Sequence, residues 1–180
     1  MKDRKDLKTQ RKIYELIEKN PGLHTSRIAE ILNISWELAN YHLNYLEKHD
    51  LINITKEEGY NRCFPSGKIG EKDRKIIGLL RQKYPLTIVL FLLTNPYSRF
   101  KEIAENVDIA PSTLVHHMKK LEKLQIIEFE EIKNAKRYII VNKKYIIQLL
   151  IKYKPHSFIE DYEDMWKEFL WTKDLFKENK

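Results

Sequence analysis

One stretch of this chain occurs twice. Residues 20–52 read NPGLHTSRIAEILNISWELANYHLNYLEKHDLI, and residues 95–127 read NPYSRFKEIAENVDIAPSTLVHHMKKLEKLQII. The offset is 75 throughout, since Asn20 recurs as Asn95 and nothing slips afterwards. Ile28 recurs as Ile103, Ala29 as Ala104, Glu30 as Glu105, Ile34 as Ile109 and His42 as His117. Leu46-Glu47-Lys48 recurs as Leu121-Glu122-Lys123, Ile52 as Ile127, and further on Arg62 as Arg137. An ungapped repeat means one structural unit used twice, so whatever the first copy folds into, the second does also.

A length of 180 residues alone suggests a single domain. The repeat divides it instead into two units of about 70 residues, near the lower limit for independent folding. We expect a first domain over 1–68, a linker helix and second domain over 69–154, and a C-terminal amphipathic helix over 155–180. Hydrophobic residues make up 42% of the chain, enough to build cores.

The formal charge of +7 favours a polyanionic partner. That charge is uneven. Residues 1–12 hold six cations and two anions, whereas residues 156–180 hold four cations and seven anions, unlike a nucleic-acid surface. A single cysteine, Cys63, excludes an internal disulfide and a multi-thiolate metal site. Residues 1–12 are too polar for a signal peptide, and the most apolar run, 86–93, is too short to span a bilayer. The expected location is the cytoplasm.

Ile13, Leu16 and Ile17 stand at helical spacing within 9–19, and Asn20-Pro21-Gly22 ends that helix. Residues 25–32 form a second short helix, Asn33-Ile34-Ser35 a tight turn, and Ser35 caps a third helix to about His49. The third helix turns Ala39, His42 or Leu43, and Leu46 inward. Residues 51–55 and 62–65 read as the strands of a hairpin around Gly59. Helix, helix, three-residue turn, helix, hairpin is the order of a winged helix-turn-helix, with the hairpin as the wing.

Residues 68–83 read as a joining helix weakened by Gly70 and Gly78. Pro85 suits the first turn of the next helix, which is apolar almost all round and so buried. In the second unit Pro111 opens the third helix. The wing there reads longer and cleaner, 127–132 and 136–141 around a tip at Lys133-Asn134-Ala135. Residues 143–153 form another helix closed by Pro155. Phe158, Tyr162, Met165, Trp166, Phe169 and Phe176 mark one face of a last helix, to about Lys177. The fold class is therefore mainly α with small β wings (α+β): two tandem winged helix-turn-helix domains plus a C-terminal helix.

The residues Asn20-Pro21-Gly22-Leu23-His24, Tyr41-His42-Leu43, Leu46-Glu47 and Arg62-Cys63-Phe64-Pro65 carry a resemblance, as do Asn95-Pro96, His117-Met118, Leu121-Glu122 and Arg137-Tyr138. Over residues 9–141 the chain resembles the archaeal transcriptional regulators with two helix-turn-helix domains. The resemblance implies double-stranded DNA as partner, with recognition helices in the major groove and wings on the backbone. The first unit departs from it, because residues 36–47 contain no Lys or Arg.

A recognition helix places its first turns against base edges, with phosphates alongside. In the second unit Ser112, Thr113, Val115, His116, Lys119 and Lys120 face outward. Ser112 and Thr113 can bond phosphate or base edges, His116 can donate to guanine or phosphate, and Lys119 and Lys120 are natural phosphate contacts. Lys133, Lys136 and Arg137 add the wing. In the first unit the outward set is Trp36, Glu37, Leu38, Asn40, Tyr41, Asn44 and Tyr45, with Arg62 on the wing. Asn40 and Asn44 can pair with adenine and Tyr41 can reach phosphate or stack. Glu37 repels phosphate, and an exposed Trp and Tyr pair suits a protein interface equally. Both readings of this helix stand.

No set of His, Cys and carboxylate residues has metal-ligand spacing, and His116 and His117, being adjacent, point to different faces. No glycine-rich phosphate loop or nucleophile motif is present. We expect no cofactor, no metal and no catalysis. The last helix could pair with its mate in a second chain, giving a homodimer that reads two-fold sites. The transcription machinery is a further expected partner, and a membrane is not. A reading from another class is a tandem winged-helix scaffold within a larger complex, without sequence-specific DNA reading.

Overall fold

The computed structural model describes residues 4–57 and 59–153. The last helix expected after Pro155, and the pairing assigned to it, lie outside these residues. Two compact units divide at Gly78–Leu79, a point inside one helix.

The first unit opens with α1 (Arg4–Lys19), five residues earlier than the apolar spacing predicts. Its early turns are charged and carry no core pattern; Gln10, a polar residue, is buried there and sets its Nε2 3.4 Å from Nδ1 of His42. Asn20 ends the helix by donating its backbone N–H and its side-chain amide to the Leu16 carbonyl. There follow β1 (Leu23–His24), α2 (Thr25–Leu32), α3 (Trp36–Lys48), β2 (Ile52–Glu57), β3 (Tyr60–Pro65) and α4 (Glu71–Leu80). Asn33 takes the left-handed conformation that turns α2 into α3, and Ser35 Oγ accepts from the Leu38 N–H at 3.2 Å, capping α3 as expected.

Ile13 and Ile17 of α1, Ile28 of α2, Leu43 and Leu46 of α3, and Ile52 and Cys63 of the hairpin close one core, each nearly or wholly without solvent contact. Each fully buried aliphatic side chain contributes about 1.5–3 kcal/mol, and truncation of Ile28 to Ala would cost ~2–5 kcal/mol.

The two-residue strand β1 was not legible in the sequence. Leu23 pairs with Cys63 and His24 with Arg62, making a three-stranded sheet in the order β1-β3-β2. Gly22 permits the entry: its φ is +86°, and a Cβ there would lie 3.2 Å from Ile77 Cγ2 and 3.3 Å from Phe64 Cε1.

The second unit repeats this plan: α5 (Lys83–Thr94), α6 (Phe100–Val107), α7 (Pro111–Lys123), β4 (Ile127–Ile132), β5 (Ala135–Ile140) and α8 (Lys143–Lys152). α6, α7, β4 and β5 begin and end 75 residues after α2, α3, β2 and β3. Asp108 and Gln125 are left-handed, as Asn33 and Asp50 are, and Tyr97 takes the role of Gly22 with φ 64°. Asn95 closes α5 onto the Phe91 carbonyl just as Asn20 closes α1. The bridge Ser98–Tyr138 stands where Leu23–Cys63 stood.

The repeat therefore begins before Asn20. Ile88 and Leu92 of α5 are buried at the positions of Ile13 and Ile17, and α5 packs on α6, α7 and β5 as α1 packs on α2, α3 and β3. Identity had faded there because α1 is amphipathic, whereas α5 buries every residue from Pro85 to Leu90.

The two wings have equal strands of six residues, so the second is not the longer. Its tip is two residues, Lys133 and Asn134, both left-handed (φ 51° and 59°), while Ala135 already pairs with Ile132. Positive φ at both central residues matches the right-handed twist of the flanking strands. Among the described residues no single helix is long and apolar enough to cross a membrane.

Candidate nucleic-acid interface

α7 is held by its inner side. Leu114, His117, Met118 and Leu121 are all buried, and the His117 ring lies 5.6 Å from that of Tyr84. Pro111 at the first turn lacks the N–H that would otherwise go unbonded, so the helix starts without a side-chain cap. This fixes the other side in solvent: Ser112, Val115 (41% exposed), His116 and Lys119 stand clear, and Thr113 and Lys120 are half-buried at its margins. Six positions expected to face DNA thus lie on one continuous face or at its edge. Of the three cation-capable residues on it, His116 and Lys119 are exposed and Lys120 is partly covered.

On α3 the same rows are occupied differently. Ala39, His42, Leu43 and Leu46 are buried. Trp36 (49% exposed), Tyr41 (55% exposed), Glu37, Leu38 and Asn44 are open, while Asn40 and Tyr45 are half-buried. Positions 37, 40, 41 and 44 on α3 correspond to 112, 115, 116 and 119 on α7. Glu is replaced by Ser, Asn by Val, Tyr by His and Asn by Lys. One frame presents an acidic, amide and aromatic face in the first copy and a cationic one in the second.

The second wing is less basic than its three cations suggest. Glu130 lies directly across from Arg137 and Glu131 from Lys136, so acids of β4 oppose cations of β5. The Lys136 ammonium sits 3.8 Å from the centre of the Phe129 ring, a cation–π contact that fixes its direction. Lys133 projects from the tip, beyond these cross-strand pairs.

Arg137 Nη1 donates to the Tyr97 carbonyl at 3.1 Å, and Arg62 Nη1 to the Gly22 carbonyl at 3.0 Å. Arg62 is buried to 5% exposure, so the expected wing contact is an internal tie between β3 and the β1 entry. The sequence signal for that tie was present, since Arg62 and Arg137 share the repeat offset in sheets with few other identities.

Two exposed cations at the start of α6, Arg99 just before it and Lys101 in its first turn, were not singled out from the sequence. Glu102 Oε2 accepts from the Arg99 N–H at 2.7 Å and caps α6, leaving the guanidinium outside. At the equivalent position His24 caps α2, its Nδ1 accepting from the Arg27 N–H at 3.2 Å. Burial, then the nearby Arg62 and Arg27 cations, hold the His24 pKa below its usual value, with Glu30 opposing. Burial pushes the Cys63 thiol up to about 12, with Glu47 adding to it, so the thiolate that redox chemistry requires is suppressed. Among the described residues no three His, Cys, Asp or Glu side chains gather as a metal site.

Residues 6–53 match the winged helix-turn-helix DNA-binding family, and residues 86–128 match the bacterial regulatory proteins of the arsR family. An uncharacterized HTH-type transcriptional regulator of Methanocaldococcus jannaschii is 30% identical over 132 residues, covering 73% of this chain and 33% of the relative. The chain thus spans about a third of the length of that relative. ScpB from Mycobacterium tuberculosis overlaps 82% of this chain and 98% of its own, at 10% identity and a TM-score of 0.29, too loose a likeness to bear on fold or function. With both copies built alike and each matched to a helix-turn-helix family, the chain is a tandem winged helix-turn-helix protein, similar to HTH-type transcriptional regulators.

Proposed function

We propose that this chain is a sequence-specific, DNA-binding transcriptional regulator. The observation that carries the reading is the open face of α7, where Ser112, His116 and Lys119 are exposed on a helix whose opposite side is locked into a core. α7 enters the major groove. Ser112, Thr113 and His116 meet base edges and phosphates, and Lys119, Lys120 and the wing-tip Lys133 bind phosphates. Lys136 and Arg137 flank that surface, Lys136 partly committed to the Phe129 ring and Arg137 to the Tyr97 carbonyl. On α3, Trp36, Asn40, Tyr41 and Asn44 form a second contact face that holds no cation. Arg62 is left out of the interface because its guanidinium serves Gly22.

In this reading the protein works in the cytoplasm without cofactor or catalysis, as a homodimer joined through the segment after Pro155, with the transcription machinery as a further partner. An archaeal origin fits the source of the relative.

A gel-shift titration of the full chain against genomic duplex fragments, repeated across salt concentrations, tests the reading. Affinity that falls steeply with salt and survives competitor for a subset of fragments is the expected result. Absence of any duplex binding at low salt sinks it. Removal of residues after Pro155 should leave monomers in sedimentation, and persisting dimers would refute the role given to that segment.

A further inference from the structure

The two copies keep one backbone and differ in the residues that backbone presents. α3 and α7 are each 13 residues long, each entered by a left-handed residue three positions before the helix. Both are anchored at four equivalent inner positions. Helices framed so alike set the same rows of side chains toward whatever they meet, so a difference in residue type on those rows is a difference in the chemistry being read.

On α3 the outer row holds Glu37, Asn40 and Asn44, at spacings of three and four, with Tyr41 beside them. An asparagine amide offers one donor and one acceptor side by side, which matches N7 and N6 of adenine, and a glutamate oxygen accepts from the amino group of cytosine. On α7 the same row holds Ser112, Val115 and Lys119, with His116 beside them where Tyr41 stands on α3. Valine offers a methyl surface for the thymine C5-methyl group, and histidine offers a donor for the acceptor edge of guanine. Neither row could do the work of the other.

We propose that the two helices read different base edges, α3 specifying adenine through Asn40 and Asn44 and α7 specifying guanine and thymine through His116 and Val115. The DNA site of one chain is then two unlike blocks rather than one block repeated. The inference rests on the regulator reading and adds to it what each copy recognises. The absence of cations from residues 36–47 follows: α3 selects among sequences, while α7 and its lysines hold phosphates for both.

The test is selection from a pool of random duplexes with the full chain, followed by sequencing of the bound fraction, for the native protein and for Asn40→Ala, Asn44→Ala, Asn44→Gln and His116→Ala. Asn44 and His116 are exposed, so circular dichroism and the thermal transition should match the native chain. The expected site has two unlike blocks. Asn44→Ala should relax one adenine in one block, with roughly 5- to 150-fold loss of discrimination there. Asn44→Gln, which keeps the amide, should retain that adenine. His116→Ala should relax a guanine in the other block only. A site made of one block, or of one block repeated, overturns the inference. An unchanged base profile in Asn44→Ala and Asn40→Ala also overturns it, and leaves the α3 face to a protein partner. A native chain that selects no sequence defeats the regulator reading itself, a result distinct from either.

Discussion

Arg62 donates from Nη1 to the carbonyl oxygen of Gly22, 3.0 Å away and 40 residues earlier in the chain. Arg137 does the same to Tyr97 at 3.1 Å, again 40 residues back. A wing arginine that reads as a phosphate contact is thus the bolt that ties the returning strand to the turn after the first helix. Arg62→Gln should lower the stability of the first unit by about 1–3 kcal/mol in chemical denaturation, because a buried charge-assisted bond is lost. Arg137→Gln should cost less, about 0.5–1.5 kcal/mol, because solvent reaches that bond. Well below the unfolding transition, duplex affinity of the Arg62 variant should equal that of the native chain.

Lys119 and Lys120 should behave as counterion-releasing contacts. Each phosphate neutralised adds about 0.9 to the slope of log affinity against log salt. Lys119→Ala with Lys120→Ala should therefore flatten the slope by about 1.8 and weaken binding to all sequences alike. An unaltered slope, with binding abolished instead by changes at Asn40 and Asn44, would reverse the assignment of the two copies.

The cap of α2 should make the first unit acid-sensitive. Burial and two neighbouring arginines depress the folded pKa of His24 below 6.5. The folded state then binds fewer protons than the unfolded chain, so this contribution to stability is fully present above pH 6.5 and is lost as pH falls through the folded pKa. Protonated His24 can no longer accept from the Arg27 N–H, and the cap opens. In denaturation between pH 8 and pH 5, His24→Asn should show a smaller loss of stability than the native chain, since asparagine caps without titrating. Equal losses in the two proteins would show that another group is responsible.

Cys63 should report the opening of the first core. Its side chain has no solvent contact, and burial pushes its thiol up to about 12. At pH 8 a thiol reagent should label the native protein only at the rate at which the first unit opens, and at once in denaturant. Fast labelling in native buffer would show that the β3 face is accessible.

Much of this was legible in the residues themselves. Ser35 announces the start of α3 because its hydroxyl satisfies a free N–H, and Pro111 announces α7 because it has none to satisfy. His42 and His117 fall inward, as the spacing of Ala39, Leu43 and Leu46 requires. Ser112, His116 and Lys119 are exposed for the same reason: once Leu114 and Leu121 are inside, these three are left to solvent. What escaped was short or paired at long range. Strand β1 has two residues, too few for any alternation to register, and it exists only because Cys63 and Arg62 lie beside it. The early turns of α1 carry charge rather than pattern, and Gln10 is buried because His42 meets it.

By itself the sequence determined that a single fold is made twice, and it set which helix faces turn inward, since periodicity is a local property and an ungapped repeat copies every local instruction. The tertiary structure alone decided what the long charged side chains do. An arginine or lysine spans several ångströms, so its partner is chosen by whatever the fold brings near. Arg62 found a carbonyl 40 residues away, Lys136 found the Phe129 ring across the hairpin, and Lys119 was left facing outward.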